Sequence, residues 1–166
     1  QETKAHPEQL DSSLLEPYGY RTYWNHPERK GYGGVATFTK AEPATVKYDF
    51  ASAGLDPEGR ILIAEYPELV LLNVYFPNGK KDEQRLNYKM DFYKAFLGFV
   101  DSLKATGTKL VICGDFNTAH KEIDLARPKE NEHVSGFLPI ESLFHEYVSS
   151  YAFTQETLSR ISQQRY

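Results

Sequence analysis

The chain has 166 residues, 40% of them hydrophobic and 14% aromatic, with a formal net charge of −4. That is enough apolar chain for one domain with a real core, and too much for a disordered tail. The acidic balance excludes a broad basic field, so any contact with nucleic acid has to be local, with a metal ion offsetting nearby carboxylates. The single cysteine, Cys113, excludes an internal disulfide framework and fits a reducing cytosol. It stands in an apolar run and is expected to fill the core. No apolar run is long enough to span a membrane, and no signal peptide is recognisable. The chain opens Gln1-Glu2-Thr3-Lys4 without an initiator methionine, so the numbering is expected to begin inside a longer protein.

In chain order, Arg21 to Asn25 and Gly34 to Thr39 read as strands separated by the turn-rich HPERKGYG. Trp24 is expected in the core. Thr45 to Phe50 is a weaker strand after Pro43. Arg60 to Tyr66 and Leu69 to Phe76 form a hairpin with its turn near Pro67-Glu68. Leu86, Met90, Tyr93, Leu97 and Val100 recur at helical spacing and make one apolar stripe, with Gly107 as the stop. Lys109 to Phe116 is a strand whose body, Leu110 to Cys113, reads as buried on both faces. Strand, helix, strand implies a parallel crossover, and the hairpins make the sheet mixed. The fold class is therefore layered α/β. The final segment, Thr154 to Tyr166, is polar and poorly patterned.

Polar residues at strand ends carry the chemistry. In an extended strand Asp115 and Asn117 would project to one side. Tyr75 ends the preceding strand, and Glu2 opens the chain at a point where a strand would just have finished. Strand ends at one edge of an α/β sheet are the usual place for a site, and carboxylate oxygens with water suit a hard cation such as magnesium. Each residue also has a plainer use. Asn117 reads equally as a cap, Tyr75 as a rim aromatic and Glu2 as a surface acid. Asp115 is the exception, because a buried carboxylate costs free energy without partners. The five histidines show no metal-ligand spacing, and there is no phosphate-binding glycine loop or serine elbow. The residues alone stop at a metal-assisted hydrolase or a phosphate-binding module.

The ordered set QETK, KGYGGVA, EGRILIAEY, NVYFPNG, GDFN, HKEIDLARPK and GFLPIE resembles the exonuclease III branch of apurinic/apyrimidinic (AP) endonucleases. That branch belongs to the DNase I-like endonuclease/exonuclease/phosphatase superfamily. GDFN alone indicates only the superfamily, which includes lipid phosphatases; the ordered set is more specific and covers residues 1–141. The resemblance implies part of a four-layer α/β sandwich of the DNase I-like type, a mixed β-sheet with flanking helices. It also implies a DNA repair nuclease of base excision repair, cutting the phosphodiester 5′ to abasic sites with 3′ to 5′ exonuclease activity. Magnesium is the implied cofactor, with manganese as a substitute, and duplex DNA with abasic sites or 3′ ends is the implied partner. The complete protein is expected to be a monomer in the cytoplasm, or in the nucleus of a eukaryote, away from membranes.

Residue by residue, Glu2 matches the family's metal ligand. Tyr75 matches a tyrosine that contacts the scissile phosphate, Asp115 the carboxylate that activates or aligns water, and Asn117 its helper. Gly31 and Tyr32 match a loop that approaches the DNA groove, Asn131 a DNA-contacting asparagine, and Arg60 and Arg85 basic positions near the backbone path. Asp124 and Arg127 are expected to shape their loop.

Two departures stand beside the resemblance. The family's N-terminal strand is absent before QETK, and the aspartate–histidine pair of its second half has no counterpart; His145 does not align with that histidine. The expected organisation is a partial catalytic domain over residues 1–141 and a departing segment over 142–166, with the isolated chain weak or inactive.

Overall fold

The computed structural model describes residues 1–50 and 55–151. The described residues form six strands, β1 (Arg21–Asn25), β2 (Val35–Thr39), β3 (Thr45–Lys47), β4 (Ile61–Glu65), β5 (Val70–Tyr75) and β6 (Leu110–Asp115). The helices are α1 (Ser12–Leu15), α2 (Glu83–Ala105), α3 (Pro128–Asn131) and α4 (Pro139–Tyr151). β1 and β2 pair antiparallel as a two-stranded sheet, and β3-β4-β5-β6 form a second sheet in that order. The hairpin β4–β5 is antiparallel and turns at Tyr66–Leu69, where Tyr66 N donates to Leu69 O at 2.8 Å. β5 and β6 run parallel across the α2 crossover, so the sheet is mixed as the strand–helix–strand pattern required.

Strand alternation divides the core. Ile61, Ile63, Leu72, Val74 and Phe76 point to the helical side, where Phe92, Phe96 and Val100 of α2 and Phe144 of α4 meet them. Leu62, Ala64 and Tyr75 point to the other side and pack on Val35 and Tyr23 of the small sheet. Phe76 is the hub of the first cluster, stacked on Phe116 at 4.7 Å and edge-on to Phe92 and Phe96. Each such ring contributes roughly 1.5–3 kcal/mol by burial. The consequence for the site is directional: anchoring Phe76 in one core fixes its neighbour Tyr75 on the opposite face.

Several expectations are corrected in detail. The apolar stripe of α2 is displaced, because Lys89, Phe92, Tyr93, Phe96 and Val100 are its buried residues. Met90 and Leu97 are partly buried and line a shallow groove with Ile140 and Leu143 of α4. Aromatic rings fill the sheet face better than the leucine and methionine positions, and the helix rolls to present them. The body of β6 is not doubly buried. Its burial alternates, with Val111, Cys113 and Asp115 exposed, because β6 is the edge strand and its second face has no layer over it among the described residues. Cys113 is thus exposed rather than a core filler. Trp24 is half-buried, edge-on to Phe38, with its indole N–H donating to Thr22 Oγ1 at 3.1 Å.

Asp82 caps α2 by accepting from Arg85 N at 2.7 Å, and Gly107, at φ +75°, follows its C-terminus as expected. α4 runs across the division expected between residues 141 and 142. The segment Thr154 to Tyr166 lies outside the described residues. Among the described residues no helix is long and apolar enough to cross a membrane.

Candidate active site

Tyr75 and Asp115 end adjacent parallel strands in direct register, and Phe76 N donates to Asp115 O at 2.9 Å just beyond them. Neighbouring strands lie about 4.8 Å apart, so the two side chains stand side by side on one face. Gly114 allows this close pairing: at φ +150° it adopts a backbone that side chains avoid, and a Cβ there would overlap Val74 O. Asn117 does not continue the strand. Its φ of +51° turns the chain into the left-handed region, which asparagine tolerates better than most residues. Three contacts hold it there. Asn117 N donates to Asp115 Oδ1 at 2.9 Å, its side-chain amide donates to Phe76 O at 2.9 Å, and its carbonyl accepts from Lys89 Nζ at 2.9 Å. Strand alternation therefore predicts the right company for the wrong reason: a turn, not a pleat, brings Asn117 to Tyr75.

Glu2 reaches the same place from the chain start. Thr3 N donates to Gly34 O at 3.1 Å and Lys4 N to Gly33 O at 2.9 Å. Gly34, at φ +85°, sits where a Cβ would collide with Thr3 Oγ1, so the KGYGG loop needs glycine to dock this segment. Gln1 Nε2 donates to Asn73 Oδ1 at 2.6 Å, and Asn73 donates to Ala36 O and Thr37 Oγ1. Sequence reasoning missed both Gln1 and Asn73. Asn73 lies two residues before Tyr75 on the same strand face, which was the available signal.

The Tyr75 hydroxyl lies beside the Glu2 carboxylate and the Asn117 side chain. Burial, then the Glu2 charge, push the phenol above its ordinary value, with Arg60 opposing; Tyr75 stays a proton donor across neutral pH. Glu2 is about half exposed and pairs with Lys4 at 3.2 Å. Asp115 is exposed, which corrects the expectation of a buried carboxylate: it stands at the end of an edge strand. Among the described residues no three His, Cys, Asp or Glu side chains gather as a metal cage. A single open carboxylate beside a hydroxyl and an amide suits a hard divalent cation of the kind that keeps several waters and takes one or two carboxylates.

The remaining candidates divide. Gly31 is exposed at φ +74°, at the tip of its loop. The Tyr32 oxygen accepts from Arg85 Nη2 at 3.0 Å, and Arg85 also pairs with Glu58 at 2.7 Å. Tyr32, Arg29, Lys81 and Arg85 line an open cavity of about 940 Å³. Arg60 is corrected: it is 1% exposed and has no surface to offer a phosphate. Its charge is taken by Glu58 at 2.7 Å, and its Nη1 donates to Tyr75 O at 2.9 Å. Asn131 ends α3 with its amide donating to Arg127 O at 2.7 Å, and no described hydrogen bond joins it to the Tyr75 cluster. Asp124 accepts from Lys121 N at 2.9 Å and Arg127 pairs with Glu130 at 3.4 Å, both within their own loop.

Sequence reasoning also missed a buried ion pair beneath the site. Lys89 and Glu141, both fully buried, meet at 2.8 Å. Lys89 also donates to Thr118 Oγ1 at 2.9 Å, while Glu141 accepts from Ser135 Oγ at 2.7 Å and Gly136 N at 2.6 Å. The pair ties α2 and α4 to the peptide of Asn117. No local signal in the sequence marks a partnership across 52 positions.

Known proteins resemble the chain in sequence and in fold. An exodeoxyribonuclease of Bacillus subtilis is 39% identical over 137 residues, 82% of this chain and 53% of that protein. The DNA repair nuclease APEX1 of Danio rerio is 36% identical over 146 residues, 85% of this chain and 46% of that one. The chain spans about half the length of the curated relatives it matches. The 3'-5' exonuclease NExo of Neisseria meningitidis superposes with a TM-score of 0.79 at 25% identity, over 92% of this chain and 59% of that one. An AP endonuclease of Archaeoglobus fulgidus, at TM-score 0.77 and 24% identity, covers 92% of this chain and 59% of its own, and supports the fold alone. These neighbours carry the DNase I-like fold that the resemblance implied. The family described as endonuclease/exonuclease/phosphatase matches residues 1–162, and the chain belongs to it.

Proposed function

We propose that this chain carries the catalytic face of a metal-dependent DNA repair nuclease that hydrolyses the phosphodiester bond 5′ to abasic sites and removes nucleotides from 3′ ends. The observation that carries the reading is Tyr75 in register with Asp115, with Asn117 bonded to Asp115 and to Phe76 and the Glu2 carboxylate close by. In-line hydrolysis of a phosphodiester needs an oriented water and positive or hydrogen-bonding groups on the phosphate. Asp115 orients the water and accepts its proton. Tyr75 and Asn117 donate to phosphoryl oxygens. Glu2 would hold magnesium, with manganese as substitute, and the ion would supply positive charge to the reacting phosphate. Selectivity for a missing base follows from the lower cost of extruding such a nucleotide. Relatives known as an exodeoxyribonuclease and a DNA repair nuclease support the nuclease reading, and the 3' phosphatase NExo bound to a product DNA hairpin supports DNA as the substrate. The proposed partner is duplex DNA, the proposed state of the complete protein a monomer, and the proposed compartment the cytoplasm or, in a eukaryote, the nucleus.

The test is nicking of a duplex with one stable abasic analogue, with magnesium and with a chelator, beside an inositol phosphate substrate. Weak but metal-dependent nicking 5′ to the lesion is the expected result. Turnover of the inositol phosphate alone would move the chain to a phosphatase role, and a folded sample inert on both would leave a binding module of the same fold. Within the nuclease reading, Tyr75→Phe removes one donor and is expected to lower kcat by about 10²-fold, with KM little changed. An unchanged kcat under single-turnover conditions would take Tyr75 out of the reaction.

A further inference from the structure

Arg60 is a charged side chain buried beside the site to 1% exposure, and its guanidinium meets Tyr75 directly. Its guanidinium lies 4.3 Å from the centroid of the Tyr75 ring, and Nη1 donates to the Tyr75 carbonyl at 2.9 Å. The backbones are coupled too, with Tyr75 N donating to Arg60 O at 2.8 Å. Behind Arg60 stands Glu58, which accepts from Arg60 Nε at 2.7 Å and from both Arg85 nitrogens at 2.9 and 2.7 Å. Arg85 in turn holds the Tyr32 hydroxyl, and the Glu58 carbonyl accepts from Gly34 N at 3.3 Å, in the loop on which the Glu2 segment docks. Burial alone would push the Glu58 carboxyl up, but Arg85 and Arg60 outweigh it and hold it below the ordinary glutamate range. Glu58 is thus shared between two guanidiniums, one turned to Tyr75 and one to Tyr32.

We infer that Arg60, fixed by Glu58, is a positioning residue that holds the Tyr75 ring by its face and its carbonyl so that the hydroxyl points between Glu2 and Asn117. Glu58 is the shared anchor that sets Tyr75 and the Tyr32 loop in one frame. A flat, forked cation is needed for this, since it must stack on a ring and bond in its own plane at once; lysine supplies the charge without the plane. This rests on the nuclease reading above only for its activity readout.

Two measurements on the full chain separate the inference from that reading. In the nicking assay, Arg60→Lys and Glu58→Gln are expected to lower kcat about 10-fold or more with KM within twofold. In a Tyr75→Phe background the same changes are expected to add less than twofold, because they act through the lost hydroxyl. The second measurement needs no turnover. Protein labelled with 3-fluorotyrosine gives a fluorine resonance assigned to Tyr75 by its loss in Tyr75→Phe. Arg60→Lys and Glu58→Gln are expected to move and broaden it while circular dichroism stays native. If Arg60→Lys unfolds the chain, Glu58→Gln, which keeps Arg60 in place but frees it, decides the matter. A Tyr75 resonance unchanged in the folded variant, or a kcat loss that persists in full without the hydroxyl, would overturn the inference. A wild-type chain that does not nick defeats the nuclease reading, and the fluorine signal still decides this one.

Discussion

Asp115→Ala is expected to lower abasic-site nicking by about 10³-fold or more, toward the upper range for loss of a general base, while costing little stability. The separation follows from where the residue sits. Asp115 is exposed at the end of an edge strand, so removing its carboxylate leaves no cavity and no unpaired buried charge. The substitution removes the hydrogen bond from Asn117 N at 2.9 Å, a contribution of about 1 kcal/mol. Asp115→Asn sharpens the test. It keeps an oxygen that can accept from Asn117 N and so preserves the turn, but it cannot take a proton from water. The two variants should therefore lose activity alike and differ in stability, with Asp115→Asn close to wild type in a denaturant titration. If Asp115→Asn nicks as fast as wild type, the carboxylate does not activate the water, and the residue's part reduces to holding Asn117. If both variants unfold, Asp115 supports the fold itself, and its exposure does not make it dispensable.

The elements were legible where sequence pattern and local chemistry agree. β4, β5, β6 and α2 follow from apolar runs, a turn at Pro67-Glu68 and a stripe of helical period, and the parallel pairing follows from the crossover. What could not be read is what faces what. Val111 and Cys113 look like core on hydrophobicity alone, and only the strand order makes them exposed. Arg60 shows the reverse error. A basic residue in a motif near a phosphate site suggests a phosphate contact, but burial gives it to Tyr75 and Glu58 instead. Glu2, Tyr75, Asp115 and Asn117 are legible together from strand ends and a family likeness, and the structure gathers them; the left-handed turn at Asn117 and the ion pair that holds it depend on partners far along the chain.

That ion pair carries the second large effect. Lys89→Met is expected to destabilise the fold by about 3–5 kcal/mol, because it strands the Glu141 carboxylate in a site with no access to water. Glu141→Gln should cost less, since an amide keeps oxygen contacts to Ser135 and Gly136 and leaves the positive charge with two other acceptors, Asn117 O and Thr118 Oγ1. Combining the two removes both charges, and the double variant is expected to recover a large part of the Lys89→Met loss; simple addition would mean that the charges do not interact. The pH dependence has a definite sign. Burial opposes ionisation of Glu141, but Lys89, Ser135 and the Gly136 N–H hold its carboxyl below the ordinary glutamate value. Its contribution is then fully present above pH 4.5, the unfolded value, and is lost as the pH falls through the lower folded value. The stability gap between wild type and Glu141→Gln should accordingly be constant from pH 5 to neutrality and narrow in more acid solution, read from denaturant midpoints at each pH. Because Lys89 also holds the Asn117 carbonyl, any folded Lys89→Met protein should lose nicking as well, by loosening Asn117 rather than Asp115. A gap that widens toward acid would mean that Glu141 is protonated in the native protein, and the pair would be a neutral hydrogen bond instead of an ionic tie.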